Sequence, residues 1–447
     1  MTFAPTESRE QLLAAQTNDP SFPNVLDELV WRGLVAVSTD LGALRARLEE
    51  GPLTYYCGFD PTAASLHLGN LVQLLTLRRL QLAGNRPIGV VGGATGLIGD
   101  PRPTAERTLH DKATVAGWVE RIGAQVGRFL STEGENPLRL VNNLDWTGRL
   151  SAIDLLRDVG KHFRVSTMLA KEAVSARLNS EAGISYTEFS YQVLQGLDFL
   201  ELYRRYDCVL QTGGQDQWGN LTAGIDLIRH VEGVGAHAFG TPIITDATGH
   251  KFGKSEGNAV WLDPSLTSPY AFYQFWLNVD DRDVVKLLKV FTFLPRERIE
   301  ALEQITRDAP QRREAQHALA WEVTSLVHGP AAAQAVVDAS AALFGRGELG
   351  EVPIDTLVSA VQALPHVTGA PGDAVVQTLV ATGVVKSSSD ARRAIVQGGV
   401  YVDNVKVEDA EAVLPAFIGG RVSVLRRGKK TLAGVVAESD ETSLPRG

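Results

Sequence analysis

Cysteine and long apolar runs are both scarce in this sequence. Only two of its 447 residues are cysteine, Cys57 and Cys208, so a disulfide framework is excluded and a reducing compartment is expected. No apolar run is long enough to cross a bilayer, and the first twenty residues lack the apolar core of a secretory signal. We therefore expect a cytoplasmic protein without a membrane partner.

The sequence also has fewer positive than negative residues, 43 Lys and Arg against 52 Asp and Glu. The formal net charge is −9 at pH 7, so any contact with nucleic acid has to come from a local basic cluster. Neither cysteine lies among metal-ligating residue types, and no protein-bound metal is predicted. A chain of 447 residues is too long for one hydrophobic core, so two or three domains are expected.

A strand followed by a helix N-terminus contains the first candidate site. Leu53 to Phe59 is rich in aromatic and β-favouring residues and predicts a buried strand, which Asp60-Pro61-Thr62 ends. A helix is predicted to begin near His67. Gly69 and Asn70 then lie in its first turn, where unpaired backbone N–H groups attract anions. A surface histidine before an ordinary helix would give the same pattern.

The order of strands and helices predicts an α/β fold. A second strand, 87–91, follows the first helix, which implies a parallel sheet with a right-handed crossover. Cys208 to Thr212 predicts another buried strand, and Gly213-Gly214 and Asp216 follow it before a helix. Two such strand–glycine–helix junctions are what a split nucleotide site at the carboxyl ends of parallel strands requires.

Three polar side chains share one face of a predicted helix. Tyr191, Gln195 and Asp198 are spaced i, i+4 and i+7 among apolar residues. A solvated stripe is the ordinary explanation of such spacing. An exposed face more often contains lysine and glutamate, however, so this combination also suits a small polar ligand.

A second motif, Lys251-Phe252-Gly253-Lys254-Ser255, lies far downstream in a polar segment with glycines. Two lysines flanking a glycine form a cationic loop that suits a departing pyrophosphate. Alone, the motif is also typical of a solvated basic turn. Together and in this order, the two motifs resemble the His-Ile-Gly-His and Lys-Met-Ser-Lys-Ser pair of class I aminoacyl-tRNA synthetases.

Three further blocks narrow the resemblance to the bacterial tyrosyl-tRNA synthetases. Tyr55 to Thr62, Gly92 to Pro101 and Gly213 to Asn220 all resemble blocks of that family. The resemblance extends from the mid-twenties to about residue 440. It implies a Rossmann-like parallel-sheet nucleotide-binding domain, a helical domain and a small C-terminal α+β domain of the S4 RNA-binding type.

Four segments are expected on this basis. Residues 1–245 are predicted to form the Rossmann-like catalytic domain with a helical insertion. Residues 246–345 are predicted to hold the signature loop and a helical domain of the anticodon-binding type. Residues 346–373 contain several prolines and glycines and predict a poorly structured linker. Residues 374–440 are assigned to the S4-like domain.

The composition of the C-terminal segment favours RNA binding. Positive charges outnumber negative ones between residues 386 and 430, opposite to the chain as a whole. A capped helix and a hairpin with an Asp-Asn turn are predicted there. Arg392, Arg393 and Lys406 are the candidate RNA contacts, and a solvated basic tail is the alternative.

The resemblance implies a reaction in two steps. The carboxylate of L-tyrosine attacks the α-phosphate of ATP, which gives tyrosyl-adenylate and pyrophosphate. The 3′-terminal ribose of tRNA(Tyr) then takes the tyrosyl group. The carboxylate is already a nucleophile, so alignment and charge stabilisation suffice in the first step. ATP is expected to enter with Mg²⁺, and the protein is expected to be a homodimer.

The resemblance also implies roles for residues that contact ATP. Those that stabilise the reacting phosphates are His67 and Thr62, with Lys251, Lys254 and Ser255 closing over pyrophosphate. Those that bind ATP more generally are Cys57, Gly69, Asn70, Gly214, Asp216 and Lys254.

A third set is implied to bind tyrosine. Asp100, Tyr191 and Gln195 would hold the ammonium group, and Gln217 would lie near the carboxylate. The phenol hydroxyl would bond to the two remaining members of the set, Tyr56 and Asp198.

Two positions depart from the family pattern. Asn70 replaces the second histidine of the first motif, and its amide can donate a hydrogen bond but carries no charge. The loop after Asp100 lacks a lysine that many relatives use to hold pyrophosphate. Arg102 and Arg107 are the candidates to replace it.

Three alternatives remain open at this point. A tryptophanyl-tRNA synthetase shares the fold and both motifs, but indole offers a single N–H donor and does not call for the Tyr56–Asp198 pair. A plain adenylyltransferase would not need the helical domain or the basic C-terminal segment. An RNA-binding protein on a synthetase scaffold would not need His67 or Lys251.

Overall fold

The computed structural model describes residues 9–101, 109–179, 183–255, 258–428 and 431–438. The chain forms two compact units. Of the described residues, the larger unit contains 9–263 and 280–315, and the smaller unit contains 264–279 and 316–438. No helix in the described parts of the chain has the length and apolar character that a membrane crossing requires.

The bounds of the regular elements are as follows. The strands are β1 Val37–Ser38, β2 Thr54–Phe59, β3 Arg86–Val91, β4 Arg139–Asn142, β5 Cys208–Gly214, β6 His237–Thr241, β7 Lys254–Ser255, β8 Asn258–Ala259, β9 His366–Gly369, β10 Val400–Val402, β11 Val405–Lys406, β12 Val422–Arg427 and β13 Thr431–Ala437. The helices are α1 Arg9–Ala14, α2 Val25–Trp31, α3 Leu41–Glu49, α4 Leu68–Leu82, α5 Thr95–Ile98, α6 Lys112–Gly127, α7 Leu144–Thr147, α8 Ala152–Asp154, α9 Val165–Leu169, α10 Glu172–Leu178, α11 Tyr186–Tyr206, α12 Trp218–Glu232, α13 Pro269–Leu277, α14 Asp281–Phe291, α15 Arg296–Asp308, α16 Glu314–His328, α17 Pro330–Leu343, α18 Ile354–Gln362, α19 Val375–Ala381 and α20 Ser388–Val396.

The larger unit is built on a six-stranded sheet in the order β1-β6-β5-β2-β3-β4. Strands β2 to β6 are parallel, and the short edge strand β1 pairs antiparallel with β6. The predicted parallel sheet is therefore confirmed. The strand order reverses between β2 and β5, and such a reversal opens a crevice at the carboxyl ends of the strands.

The strands next to this reversal are buried on both faces, as expected for a parallel sheet covered by helices. Tyr55 and Tyr56 of β2 point to opposite faces and are both almost fully buried. The Tyr55 hydroxyl donates to the Leu77 carbonyl of α4 at 2.5 Å. On the other face, Tyr56 packs in a cluster that includes Phe199 of α11 and Trp146.

Strand β6 was not predicted from the sequence because two of its five residues are small. Gly240 in this strand lies close to the backbone of Gln215 and to the side chain of Val37. A Cβ there would lie 2.7 Å from Val37 Cγ2, so the position suits glycine. Gly240 thus weakens the strand signal in the sequence and makes room for Val37 of β1 and for Gln215, which follows β5.

The smaller unit combines helices with a five-stranded sheet in the order β11-β10-β12-β13-β9. Its pairs are antiparallel except for β13 and β9, which are parallel. The predicted hairpin is present between β10 and β11. Asp403 and Asn404 both have positive φ, as a type I′ turn requires.

The prediction of a poorly structured linker over 346–373 is wrong. This stretch contains α18 and strand β9, and β9 joins the sheet beside β13. Pro353 directly precedes α18, and Pro365 directly precedes β9, so the prolines mark the ends of elements. Val361 of α18 packs over Gly434 of β13, where a Cβ would lie 2.2 Å from Val361 Cγ1.

Candidate active site

A cavity of about 360 Å³ lies in the larger unit beside the carboxyl ends of β2, β3 and β5. It is lined by every predicted catalytic, ATP-binding and tyrosine-binding residue whose side chain the structure describes. These residues are Tyr56, Cys57, Thr62, His67, Gly69, Asn70, Asp100, Tyr191, Gln195, Asp198, Gly214, Asp216, Gln217 and Lys251. Residues that are distant in sequence thus meet at the predicted edge of the sheet.

His67 caps the N-terminus of α4 and is oriented by the helix itself. Its backbone N–H donates to Asn70 Oδ1 at 3.1 Å, and the Gly69 N–H donates to His67 Nδ1 at 3.0 Å. Because Nδ1 accepts, the neutral ring has its proton on Nε2, which can donate to a ligand. A Cβ on Gly69 would lie 2.8 Å from His67 Cε1, so glycine also makes room for the imidazole.

The second motif lies next to the first. The Leu68 N–H donates to the Val260 carbonyl at 3.2 Å, and His67 forms a bridge pair with Trp261. Gly253 has a φ of +77° and lies against Leu68. Both features favour glycine in this loop. The predictions for Lys254 and Ser255 concern side chains outside the described part of the structure.

Asp60 is a site residue that the sequence predicted only as the end of a strand. Its carboxylate accepts hydrogen bonds from Thr95 Oγ1 at 2.6 Å and from the Tyr191 hydroxyl at 2.7 Å. A Cβ on Gly92 would lie 2.1 Å from Asp60 Oδ1, so the glycine-rich loop admits this carboxylate. Burial, and then the neighbouring carboxylates of Asp60 and Asp100, raise the pKa of Tyr191, which therefore stays a neutral donor.

Asp198 and Tyr56 form a buried polar pair in the cavity wall. Asp198 accepts from Asn143 Nδ2 at 2.9 Å and from Trp146 Nε1 at 2.8 Å. Burial raises the pKa of Asp198 to about 7, although both donors lower it. The buried Tyr56 hydroxyl has no hydrogen-bond partner among the described residues. Its pKa is raised by burial and by the charge of Asp198.

Two further buried polar atoms in the cavity wall are the side-chain amide oxygens of glutamines. Gln195 Oε1 and Gln211 Oε1 have no hydrogen-bond partner within the described parts of the chain, and both residues line the cavity. Gln211 was missed by the sequence analysis. A signal was available, because Gln211 is a polar residue inside the otherwise apolar start of β5. Buried carbonyl oxygens without donors suit a ligand that brings an ammonium group.

Asp100 is held by two amide side chains. Gln217 Nε2 donates to Asp100 Oδ2 at 3.0 Å, and Asn220 Nδ2 donates to Asp100 Oδ1 at 3.1 Å. These contacts fix the carboxylate at the cavity wall. The neighbouring candidates Arg102 and Arg107 lie outside the described residues.

The opposite side of the cavity suits a nucleotide. Burial raises the pKa of Cys57 to about 12, so its thiol stays neutral. A Cβ on Gly214 would lie 2.4 Å from Asp216 Oδ1, so glycine lets this carboxylate fold back over the end of β5. A ribose could donate its hydroxyl groups to such a carboxylate.

Comparison with known families agrees with this geometry. The family model "tRNA synthetases class I (W and Y)" matches residues 48–345. A second model, "Tyrosine--tRNA ligase SYY-like C-terminal domain", matches residues 357–434. The chain belongs to the class I tRNA synthetases of the W and Y family.

Relatives of this synthetase cover nearly its whole length. The Tyrosine--tRNA ligase of Leifsonia xyli subsp. xyli is 68% identical over 432 residues, which cover 96% of this chain and 98% of the relative. That of Streptomyces avermitilis is 62% identical over 415 residues, which cover 92% and 98% respectively.

Solved structures show the same fold. A C-terminally truncated mitochondrial tyrosyl-tRNA synthetase from Coccidioides posadasii has a TM-score of 0.62 at 31% identity, over 73% of this chain and 93% of that one. A tryptophanyl-tRNA synthetase from Encephalitozoon cuniculi has a TM-score of 0.52 at 12% identity, which shows a shared fold alone.

The predicted RNA contacts of this synthetase lie in the smaller unit and are exposed. Arg392 pairs with Glu411 at 3.2 Å and Lys406 pairs with Glu408 at 3.7 Å on the surface, whereas Arg393 pairs at 3.2 Å with the less exposed Asp390. Exposed pairs of this kind contribute little to stability, at most about 1 kcal/mol. A phosphate could therefore exchange for the carboxylate at small cost.

Proposed function

We propose that this synthetase is a tyrosine–tRNA ligase. It activates L-tyrosine with ATP, forms tyrosyl-adenylate and pyrophosphate, and transfers tyrosine to the 3′ end of tRNA(Tyr). The names of the relatives, at up to 68% identity over most of the chain, support this function. The observation that carries it is the Tyr56 hydroxyl, which has no hydrogen-bond partner among the described residues and lies beside the buried carboxylate of Asp198.

These two groups suit a phenol hydroxyl. The hydroxyl would donate to Asp198 and accept from Tyr56, so both polar groups would be satisfied at once. Phenylalanine would leave the Tyr56 hydroxyl unpaired, at a cost of about 1–3 kcal/mol for a buried group, and would give Asp198 no donor beyond Asn143 and Trp146. An indole has one N–H donor and no acceptor, so tryptophan would leave the Tyr56 donor without a partner.

The amino-acid end of tyrosine would lie between three groups. Asp100, the Tyr191 oxygen and the Gln195 carbonyl would accept from the ammonium group. Gln217 Nε2 would donate to the carboxylate and hold it toward the α-phosphate of ATP. Attack by this carboxylate on phosphorus forms the mixed anhydride, and the electron pair of the broken P–O bond leaves with pyrophosphate.

The ATP end would use both motifs. Thr62, His67 Nε2–H and the NH₂ group of Asn70 would donate to phosphate oxygens at the N-terminus of α4. Gly214 and Asp216 would hold the ribose, beside Cys57 and Gly69. We assign Lys251, Lys254 and Ser255 to the departing pyrophosphate, where positive charge lowers the barrier. Mg²⁺ would arrive with ATP, coordinated by phosphate oxygens.

The remaining partners are tRNA(Tyr) and a second copy of the chain. Helix α20 and strand β11 of the smaller unit would bind RNA, through Arg392 and Arg393 on the helix and Lys406 on the strand. Homodimerisation is supported by exposed apolar side chains in the helical insertion, including Ile153 and Tyr186 at 67% and 70% exposure. A monomer mass by light scattering would contradict the dimer. We assign the protein to the cytoplasm, where tRNA is charged.

Aminoacylation tests this function directly. Purified protein with ATP, bacterial tRNA and labelled amino acids should charge tRNA with tyrosine and leave tryptophan and phenylalanine uncharged. Charging with tryptophan would contradict the phenol argument. RNA binding without any charging would favour an RNA-binding protein on a synthetase scaffold.

A further inference from the structure

Lys171 is a half-buried lysine outside every recognised motif. It lies between α9 and α10 in the helical insertion, and its Nζ donates to Asn220 Oδ1 of α12 at 2.9 Å. The end of its side chain packs on Gly219, where a Cβ would lie 2.9 Å from Lys171 Cε. Burial lowers the pKa of Lys171 to about 7, and the charge of Asp100 opposes this effect. The lysine is thus held in one place against the first turn of α12.

From Lys171 a chain of hydrogen bonds leads to the cavity wall. Asn220 Nδ2 donates to Gln217 Oε1 at 2.8 Å and to Asp100 Oδ1 at 3.1 Å. Gln217 Nε2 in turn donates to Asp100 Oδ2 at 3.0 Å. Asp100 and Gln217 line the cavity, whereas Lys171 and Asn220 are not among its lining residues.

The direction of this chain follows from the chemistry of its first member. In its ammonium form Lys171 has three donors and no acceptor, and the Asn220 oxygen faces Lys171 while the Asn220 NH₂ group faces away from it. That NH₂ group requires an acceptor from Gln217, which turns the Gln217 oxygen toward Asn220 and its NH₂ group toward Asp100. The donor-only ammonium at one end and the acceptor-only carboxylate of Asp100 at the other therefore favour the same orientation of both amides.

We propose that Lys171 is a positioning residue for the amino-acid substrate. Through Asn220 it keeps Asp100 as the acceptor for the substrate ammonium and keeps the NH₂ group of Gln217 on the side of the substrate carboxylate. This inference rests on the roles proposed above for Asp100 and Gln217. Because Lys171 is not among the residues that line the cavity, it would act on the substrate through Asn220.

Lys171→Met tests the proposal because methionine keeps most of the apolar stem and removes the donor. In tyrosine-dependent ATP–pyrophosphate exchange, the KM for tyrosine should rise about tenfold, since a hydrogen bond from a charged group is lost. The KM for ATP should stay within about twofold, because none of the residues assigned to the nucleotide is a member of this chain of hydrogen bonds. A general loss of structure would instead raise both KM values.

Gly219→Ala provides a second test that leaves the lysine in the sequence. The added methyl would push the flexible end of Lys171 away from Asn220, and alanine is well tolerated in a helix. The same selective rise in the KM for tyrosine is expected. Lys161→Met, at an exposed lysine of the same insertion, is the matched control and should leave both KM values unchanged.

The possible results distinguish a failure of the role proposed for Lys171 from a failure of the proposed tyrosine–tRNA ligase function. Wild-type protein without tyrosine-dependent exchange would overturn both. Active wild-type protein with an unaffected Asp100→Asn variant would overturn the role of Asp100 and with it this inference. An impaired Asp100→Asn variant with normal tyrosine KM in both Lys171→Met and Gly219→Ala would overturn the role of Lys171 alone.

Discussion

The Tyr56 side chain, which is proposed to bind the phenol of tyrosine, lowers the stability of the free protein and favours binding of the substrate. The hydroxyl of Tyr56 is buried without a partner among the described residues, whereas that of the adjacent Tyr55 donates to Leu77. A buried unsatisfied hydroxyl destabilises the free protein, and a ligand that satisfies it gains specificity. The two tyrosines therefore allow a matched comparison.

Tyr56→Phe should stabilise the free protein and weaken tyrosine recognition. The free energy of unfolding should rise by about 1 kcal/mol, and the KM for tyrosine should rise about tenfold, with poorer rejection of phenylalanine. Tyr55→Phe should lower the free energy of unfolding by about 1 kcal/mol and leave both kinetic properties unchanged. Urea denaturation and pyrophosphate exchange measure these quantities. Unaltered rejection of phenylalanine in Tyr56→Phe would contradict the assignment.

Asp198 should make tyrosine binding depend on pH. Its pKa is raised from 3.8 to about 7 by burial, so the carboxylate takes up a proton as the pH falls below about 7. The ionised form is the better acceptor for a phenol hydroxyl. The KM for tyrosine should therefore rise as the pH falls from 8 to 5.5, approaching about tenfold per unit at the acid end.

The control for this pH effect is a neutral side chain of similar shape. Asp198→Asn should have a higher KM for tyrosine that no longer rises steeply in acid. Asp145→Asn, at an exposed aspartate nearby, should keep the wild-type profile. If the KM for tyrosine still rises in acid in Asp198→Asn, a group other than Asp198 causes the pH dependence.

Among the elements, α4 contributes most to the site. Its N-terminus faces the cavity, and its capping box fixes His67 and Asn70 together. The departure from the family pattern at Asn70 has a structural use here, because the amide oxygen caps the backbone of His67 at 3.1 Å. The N-terminus of α4 and the imidazole of His67 can therefore bind the same ligand.

Gly69→Ala should displace the imidazole from this position. The added Cβ would lie 2.8 Å from His67 Cε1, so the ring has to move away from the helix terminus. The rate of adenylate formation should fall about a hundredfold, as for loss of one transition-state donor. The melting temperature should change little, because alanine favours a helix. Gly117→Ala, at a glycine of α6 with open space around it, is the control.

Some strands and helices could be predicted from the sequence more readily than others. Strands β2, β3 and β5 were predictable because each contains a short run of apolar or β-favouring residues that is bounded by turn residues, and the polar face of α11 was visible in its spacing. Strand β6 was hidden by its small residues. Asp60 and Asn143 were missed because their roles depend on partners distant in sequence, such as Tyr191 and Asp198, which only the fold brings near.

At the scale of the whole molecule, residues 346–373, which the sequence predicts to be a linker, contain a helix and a strand of the smaller unit. Helix α18 packs on β13 through the contact of Val361 with Gly434. The prolines and glycines of this segment suggested disorder because they are common both in linkers and at the ends of short elements. Burial of Leu357 and Val361, which a local pattern does not reveal, decides between the two.

Gly434→Ala should lower tRNA charging and leave tyrosine-dependent pyrophosphate exchange unchanged. Its Cβ would overlap Val361, and overpacking of this kind costs about 1–3 kcal/mol. Charging of tRNA should fall because the sheet that contains Lys406, one of the residues proposed to bind RNA, is disturbed. Tyrosine-dependent pyrophosphate exchange, a property of the larger unit, should remain near the wild-type rate. Gly350→Ala, where no atom lies near the added Cβ, should leave both activities intact.

The most direct test of the account is ATP–pyrophosphate exchange by the purified wild-type protein with each of the twenty amino acids in turn. Exchange measures adenylate formation alone, so it depends on the cavity of the larger unit and needs no tRNA. We expect exchange with L-tyrosine and none above background with phenylalanine or tryptophan. Exchange with tryptophan, or no exchange with any amino acid, would contradict the assignment of Tyr56 and Asp198 to a phenol.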